Sequence, residues 1–315
     1  MAPLSSTSPG RSRLRPGGAV RRRSATHRSD VRAGYLFIAP QAIGILLFVL
    51  VPLGLVFYYS FHEWNVLAGD FTFVGLENFD KLADDPQLGT VLRNTALFSI
   101  GLVVFNLTLA LALALALNRR IRGMTFFRTL FFSPVVISLV AWTIVWGFLL
   151  QDNGGINAAL ASVGIEGPNW LREGWGAMAS VIVVQVFKNV GLNMVLFLAA
   201  LQGVPTEVLE ASRMDGANAR TTLFRIVLPL ISPTILLTSI ITVVGSLQVY
   251  AQIAVLTQGG PGISTTVLVY YLVQQSFSFH QFGYGATLAI VLFLIVLVLT
   301  IIQWQMRRRW VFYEN

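Results

Sequence analysis

The 315-residue sequence has no cysteine, so no disulfide, thiolate nucleophile or cysteine-ligated metal is available to it. Charge is scarce as well. Only 11% of residues are Asp, Glu, Lys or Arg, where a soluble domain carries about a quarter. The only lysines are Lys81 and Lys188, and no glycine-rich stretch leads into Lys-Ser or Lys-Thr, which excludes a phosphate-cradling Walker loop. There is no His-Glu-x-x-His pair, and His27, His62 and His280 are far apart in the chain. No nucleophile–base pairing is visible. Enzyme chemistry is therefore not expected, nor is a cofactor bound by this chain.

What the chain has instead is apolar surface: 55% hydrophobic residues and a mean hydropathy of +0.70. Several apolar runs reach the ~20 residues that cross a ~30 Å hydrocarbon core. They do not alternate as barrel strands would, and helices satisfy their own backbone groups in lipid. The predicted fold class is all-α, a polytopic membrane helical bundle. Six spans are expected, over about 35–60, 94–117, 127–150, 178–201, 231–251 and 285–305. Pro40 and Pro52 fall in the first and Pro134 in the third, where prolines mark kinks. Residues 1–34, rich in Ser, Gly, Pro and Arg, read as a disordered basic tail; 35–305 is the transmembrane domain and 306–315 a short tail.

Basic residues collect on one side. Residues 1–34 carry eight Arg against Asp30, and 118–128 carry Arg119, Arg120, Arg122 and Arg128 with no acid. By contrast 61–92 hold six acids and Lys81, 151–177 hold three acids and Arg172, and 252–284 hold no charge. The bias predicts that both termini and the 205–229 loop are cytoplasmic, in a multi-pass protein of the cell membrane. The net charge of +8 then serves topology, with membrane lipid rather than nucleic acid as its neighbour.

The 205–229 loop is the longest charge-rich segment between two apolar runs, and it reads as helix, turn, helix. Pro205 suits a first turn. Glu207 and Glu210 lie near that helix's positive end. Gly216 can take the left-handed conformation that ends a helix. Asn218 can cap the second helix, and Pro229 closes it. Glu210-Ala211-Ser212, then Gly216, Ile226 and Leu228-Pro229 at fixed spacing, resemble the EAA loop of bacterial ABC importer permeases. Asp215-Gly216-Ala217 and Phe224 fit the version found in carbohydrate importers; Ser212 departs from it, where Ala is expected. The stretches Arg128–Pro134 and Leu256–Gly262 are also similar to that class, the maltose, lactose and glycerol-phosphate permeases.

The resemblance implies a permease subunit with no engine of its own. It implies a cytoplasmic ABC ATPase dimer that uses ATP, a second homologous permease, an extracytoplasmic solute-binding protein and a carbohydrate substrate, at the bacterial plasma membrane. It assigns ATPase coupling to Glu210, Ala211, Asp215, Gly216, Ile226, Leu228 and Pro229.

A polar face crosses the fourth span. Gln185, Lys188, Asn189 and Asn193 are spaced i, i+3, i+4 and i+8, so they share one side of a helix. A lysine there costs about 2.5–3.5 kcal/mol on insertion scales and usually faces the bundle interior or a watery path. In the fifth span Thr238, Thr242 and Ser246 recur every four residues, with Gln248 and Gln252 nearby. Gln185, Lys188, Asn189, Asn193, Thr242, Ser246 and Gln248 are the candidate solute pathway; a seam holding helices together is the other reading. The alternative function is a self-contained secondary transporter or channel for a polar solute. It explains the bundle but not the ordered loop, and no Asp or Glu lies in a predicted span to relay protons.

Overall fold

The computed structural model describes residues 23–65, 69–118 and 123–310. Most of the 1–34 tail, Arg119, Arg120, Arg122 and residues 311–315 lie outside them. The chain forms two units, divided between Leu55 and Val56. In the first, α1 (Arg23–Ile45) continues through a π-helical turn at Leu46–Leu50 into the start of α2 (Val51–Ser60). The helix begins well before residue 35, where the tail was expected to end. After Pro16-Gly17-Gly18 no proline or glycine interrupts the chain until Gly34, so nothing stops the helix earlier.

The second unit opens with a hairpin, β1 (His62–Asn65) against β2 (Asp70–Phe73), antiparallel with His62 opposite Phe73. Then follow α3 (Glu77–Asp84), α4 (Leu88–Leu117), α5 (Met124–Val136), α6 (Leu139–Leu149), α7 (Gly155–Ser162) and α8 (Gly174–Gln202). The loop helices are α9 (Thr206–Met214), α10 (Ala219–Thr222) and α11 (Leu228–Leu230). Last come α12 (Ser232–Leu247), α13 (Ala251–Leu256), α14 (Leu268–Val273) and α15 (Phe282–Trp310).

Among the described residues four helices are long and apolar enough to cross a membrane: 34–60, 88–117, 174–202 and 282–307. The expected third span is not one rod but α5 and α6, bent by 103°. The fifth is α12, bent by 68° from the Ala219–Leu230 segment before it. With each bent pair taken as one span the number is six.

α8 is the post of the second unit: 61% of its apolar window is buried, against 28% for α4 and 22% for α15. Lipid tails give apolar helices no reason to associate, so close packing of small residues has to do it. Accordingly Ala110 and Ala114 of α4 are buried against Val190, Met194 and Phe197 of α8, and Gly101 leaves room for Ile182. Arg128, at the start of α5, donates to the Leu117 carbonyl at 2.9 Å and so meets an orphan acceptor at the end of α4.

Candidate functional site

The 205–229 loop folds as its residues dictate. Pro205 stands at the N-cap position, just before the first turn of α9 in which it was expected and without a capping bond; Gly216 sits at φ +76°, and the Asn218 side chain accepts from the Thr221 amide at 2.8 Å. The second helical stretch is interrupted by a π-helical turn at Leu223–Val227 and runs on through Pro229, so the bend falls at Ile231 rather than at the proline. Pro229 follows the π-helical turn and lies inside this continuous run; contrary to the expectation from sequence, it does not close the helix. Ser212, the departure from the EAA pattern, is buried; its hydroxyl donates to the Leu209 carbonyl at 2.8 Å and lies 3.5 Å from the Thr222 hydroxyl, bridging α9 to α10.

The loop presents two faces. Glu210, Ala211, Asp215 and Gly216 are exposed, with Met214 88% and Phe224 59% accessible beside them. Ile226, Leu228 and Pro229 are half-buried, and Leu228 packs with Val227 and Val204 against the cluster of Leu198, Leu201 and Ile231. One side of the loop is thus anchored to the bundle, and the other offers carboxylates and two large apolar side chains.

At the centre of the bundle the predicted polar residues mostly turn inward. Asn193 is buried and donates to the Asn106 side-chain oxygen (2.5 Å) and the Thr242 hydroxyl (3.0 Å). Thr242 and Ser246 are buried and donate to carbonyls of their own helix, at Thr238 and Val243. Gln185 accepts from Gln252 at 2.5 Å. Lys188 is buried, and its ammonium donates to the carbonyls of Pro134, Val135 and Ile137. Asn189 is half-buried, and Gln248, in the turn after α12, is exposed. Of the predicted set these two reach the surface of the chain.

The family described as "Binding-protein-dependent transport system inner membrane component" matches residues 106–311. The chain belongs to that family. It is 32% identical to the probable ABC transporter permease protein YesP of Bacillus subtilis over 304 residues, 95% of this chain and 98% of YesP. It is 31% identical to the multiple sugar-binding transport system permease protein MsmF of Streptococcus mutans, over 88% of this chain and 95% of MsmF. Its fold is similar to a chain of a bacterial alginate ABC transporter solved with an alginate pentasaccharide-bound periplasmic protein. That match has a TM-score of 0.78 at 22% identity, covering 91% of this chain and 98% of that one. This binding-protein-dependent permease is a multi-pass membrane component of an ABC importer, not an enzyme.

Several residues that build the permease were not singled out from the sequence. Asn106 is fully buried and carries the Asn193 contact, yet it is one polar residue in a long apolar run. Asn94 and Thr95 of α4 tie down the segment after Gly259-Gly260-Pro261-Gly262: Asn94 donates to the Ile263 and Thr266 carbonyls, and Thr95 accepts from the Leu268 amide. Asp85 accepts from both Tyr271 (2.7 Å) and Tyr284 (2.5 Å). In the sequence Asn106, Asn94 and Thr95 show only as polar residues in or beside an apolar stretch, and nothing sets Asp85 apart from Asp84.

Proposed function

We propose that this chain is one of two permease subunits in an ATP-driven importer that takes a sugar or sugar-like solute across the bacterial plasma membrane. Each bent helix pair crosses once, giving six spans with both termini cytoplasmic, in keeping with the placement of arginine. The hairpin end then faces outward and receives solute from an extracytoplasmic binding protein. The observation that carries this reading is the loop: a helix pair, anchored on one face and exposed on the other, in a chain whose sequence holds no Walker loop. The exposed face of Glu210, Ala211, Asp215 and Gly216 seats in a cleft on a separate ABC ATPase dimer. Ile226, Leu228 and Pro229 pass its movement to the bundle, since coupling requires an element with two discrete positions. One loop serves one ATPase subunit, so a second homologous permease completes the pair. The carbohydrate class is supported by the EAA variant around Asp215 and by relatives such as MsmF. Along the pathway Asn189 and Gln248 offer amides to solute hydroxyls, while Gln185, Asn193, Thr242 and Ser246 hold the wall in place.

The deciding experiment is purification of the tagged chain from detergent-solubilised membranes, followed by reconstitution. Co-purification of a Walker-type ATPase and a second membrane subunit, with sugar uptake that requires ATP and the binding protein, is the expected result. A chain that comes out alone and moves solute in ATP-free liposomes overturns the proposal in favour of a secondary carrier.

A further inference from the structure

The third span is broken between α5 and α6, and the break has an owner on another helix. The last four carbonyls of any helix lack intrahelical partners, and in lipid no water is present to meet them. Lys188 meets two of them here, together with the carbonyl of the residue that follows the helix. Its three donors reach the carbonyls of Pro134 (2.5 Å), Val135 (3.2 Å) and Ile137 (2.5 Å). The ammonium also stands at the negative end of the α5 dipole. One turn further along α8, a side chain at Gly191 would collide with the Phe131 carbonyl and the Phe132 backbone. The two helices therefore touch backbone to backbone there. α5 is fixed to α8 at two successive turns, one by close backbone approach and one by a charge.

α6 is held differently. Its Trp142 indole donates to the Val184 carbonyl at 3.1 Å, and its main neighbour is α13, the segment beyond the break at 248–250. α13 in turn reaches α8 through Gln252 and Gln185. Beyond α6 and α13 lies a polar cleft of about 580 Å³, lined by Gln151, Asp152 and Asn153 after α6 and by Thr257 and Gln258 after α13, with Arg172 completing it.

We propose that Lys188 is a positioning residue for transport: by capping the break it sets the direction in which α6, and α13 with it, leave the α5–α8 post, and so the shape of that cleft. The proposal rests on the importer reading, in which solute enters at the hairpin end. Lys188 acts through the backbone of 134–137 and needs no contact with solute. Methionine fills the same space but donates nothing, whereas arginine keeps charge and donors.

The test uses the whole transporter, reconstituted with its ATPase, second permease and binding protein. Because the chain has no cysteine, Ser138→Cys places a single thiol in the break. Lys188→Met is expected to lower solute moved per ATP by about tenfold or more, tenfold being the scale of one hydrogen bond to a charged group, and to speed labelling of that thiol. Lys188→Arg is expected to restore both to within about twofold of the parent, although its planar fork is not equivalent to an ammonium. Unchanged transport per ATP in Lys188→Met, or no rescue by arginine, overturns the proposal. If Lys188→Met fails to accumulate, Pro134→Ala is added to it, since restoring the missing N–H removes part of the reason for the break. Recovery of the protein supports the proposal, and continued loss overturns it. If the parent complex shows no ATP-driven uptake, the importer reading falls instead, and the labelling rates alone decide for or against Lys188.

Discussion

The side-chain amide of Asn193 donates to the side-chain oxygen of Asn106, 87 residues earlier, at 2.5 Å. Asn106 is fully buried, its own amide reaches the Val186 carbonyl at 3.3 Å, and the second Asn193 proton goes to Thr242. α4, α8 and α12 therefore meet at one satisfied polar point. An interhelical hydrogen bond in lipid is worth about 0.6 kcal/mol on average, up to ~1.7. Asn106→Leu and Asn193→Leu should each lower the thermal unfolding temperature of the detergent-purified chain. The double variant should lose less than the sum, by on the order of 1 kcal/mol, because one contact is removed twice. Additive losses would mean that the two amides do not support each other.

Coupling is tested at the exposed face of the loop. Glu210→Ala removes a carboxylate from α9 without touching the bundle. Gly216→Val forces a branched side chain into φ +76°, at a strain of about 1–2 kcal/mol. No atom outside its neighbours lies within 4 Å of the added carbon, so the strain stays in the turn that aims the two helices. Both variants should insert and assemble, yet move less solute per ATP hydrolysed. Measuring uptake and ATPase activity on the same proteoliposomes checks this. A variant that simply fails to accumulate would speak for a folding role instead.

The loop was legible because its signals are local. Gly216 and Asn218 act on their own backbone, and each sits where its chemistry requires. Apolar runs likewise located the four helices long enough to cross a membrane among the described residues. The breaks were not legible. Pro134 marks a kink, but the 103° bend between α5 and α6 and the α8 lysine beside it are not written in the sequence, which does not show which backbone atoms a lysine will reach. The fifth span stops at Leu247 although Gln248–Tyr250 contain no proline or glycine. The Thr238, Thr242, Ser246 stripe was visible as a period; that it turns into its own bundle is a matter of packing.

Two glycines make a contrast that isolates close approach from flexibility. At Gly191 an added carbon meets the Phe131 carbonyl, whereas at Gly245 it meets nothing within 4 Å. Gly245→Ala should leave the stability of the isolated chain unchanged or raise it by about 0.4–1 kcal/mol, through the unfolded state. Gly191→Ala should lower it by about 1–3 kcal/mol, the usual range for overpacking. Thermal unfolding of both variants in the same detergent checks the difference. Equal behaviour would mean that α5 and α8 have room to separate.

We expect acid to loosen the hairpin end through Asp85. Its carboxylate accepts from Tyr271, Tyr284 and the Gln87 amide. Burial pushes its pKa up, but these hydrogen bonds outweigh burial and hold it below the usual aspartate value. The Tyr271 phenol, pushed up to about 12 by burial and by Asp85, remains a donor throughout the neutral range. A depressed carboxyl stabilises the folded form fully above its unfolded pKa of about 3.9, and that contribution disappears as pH falls through the lower folded value. Hydrogen-exchange protection of 268–288 should therefore stay level from about pH 8 to 5 and fall only below about 4. Asp85→Asn should lower protection at neutral pH and flatten the acid dependence, because its amide presents one accepting oxygen in place of two. Tyr271→Phe should lower neutral protection by less, since the Tyr284 bond remains. An acid transition that survives in Asp85→Asn would assign it to another carboxylate.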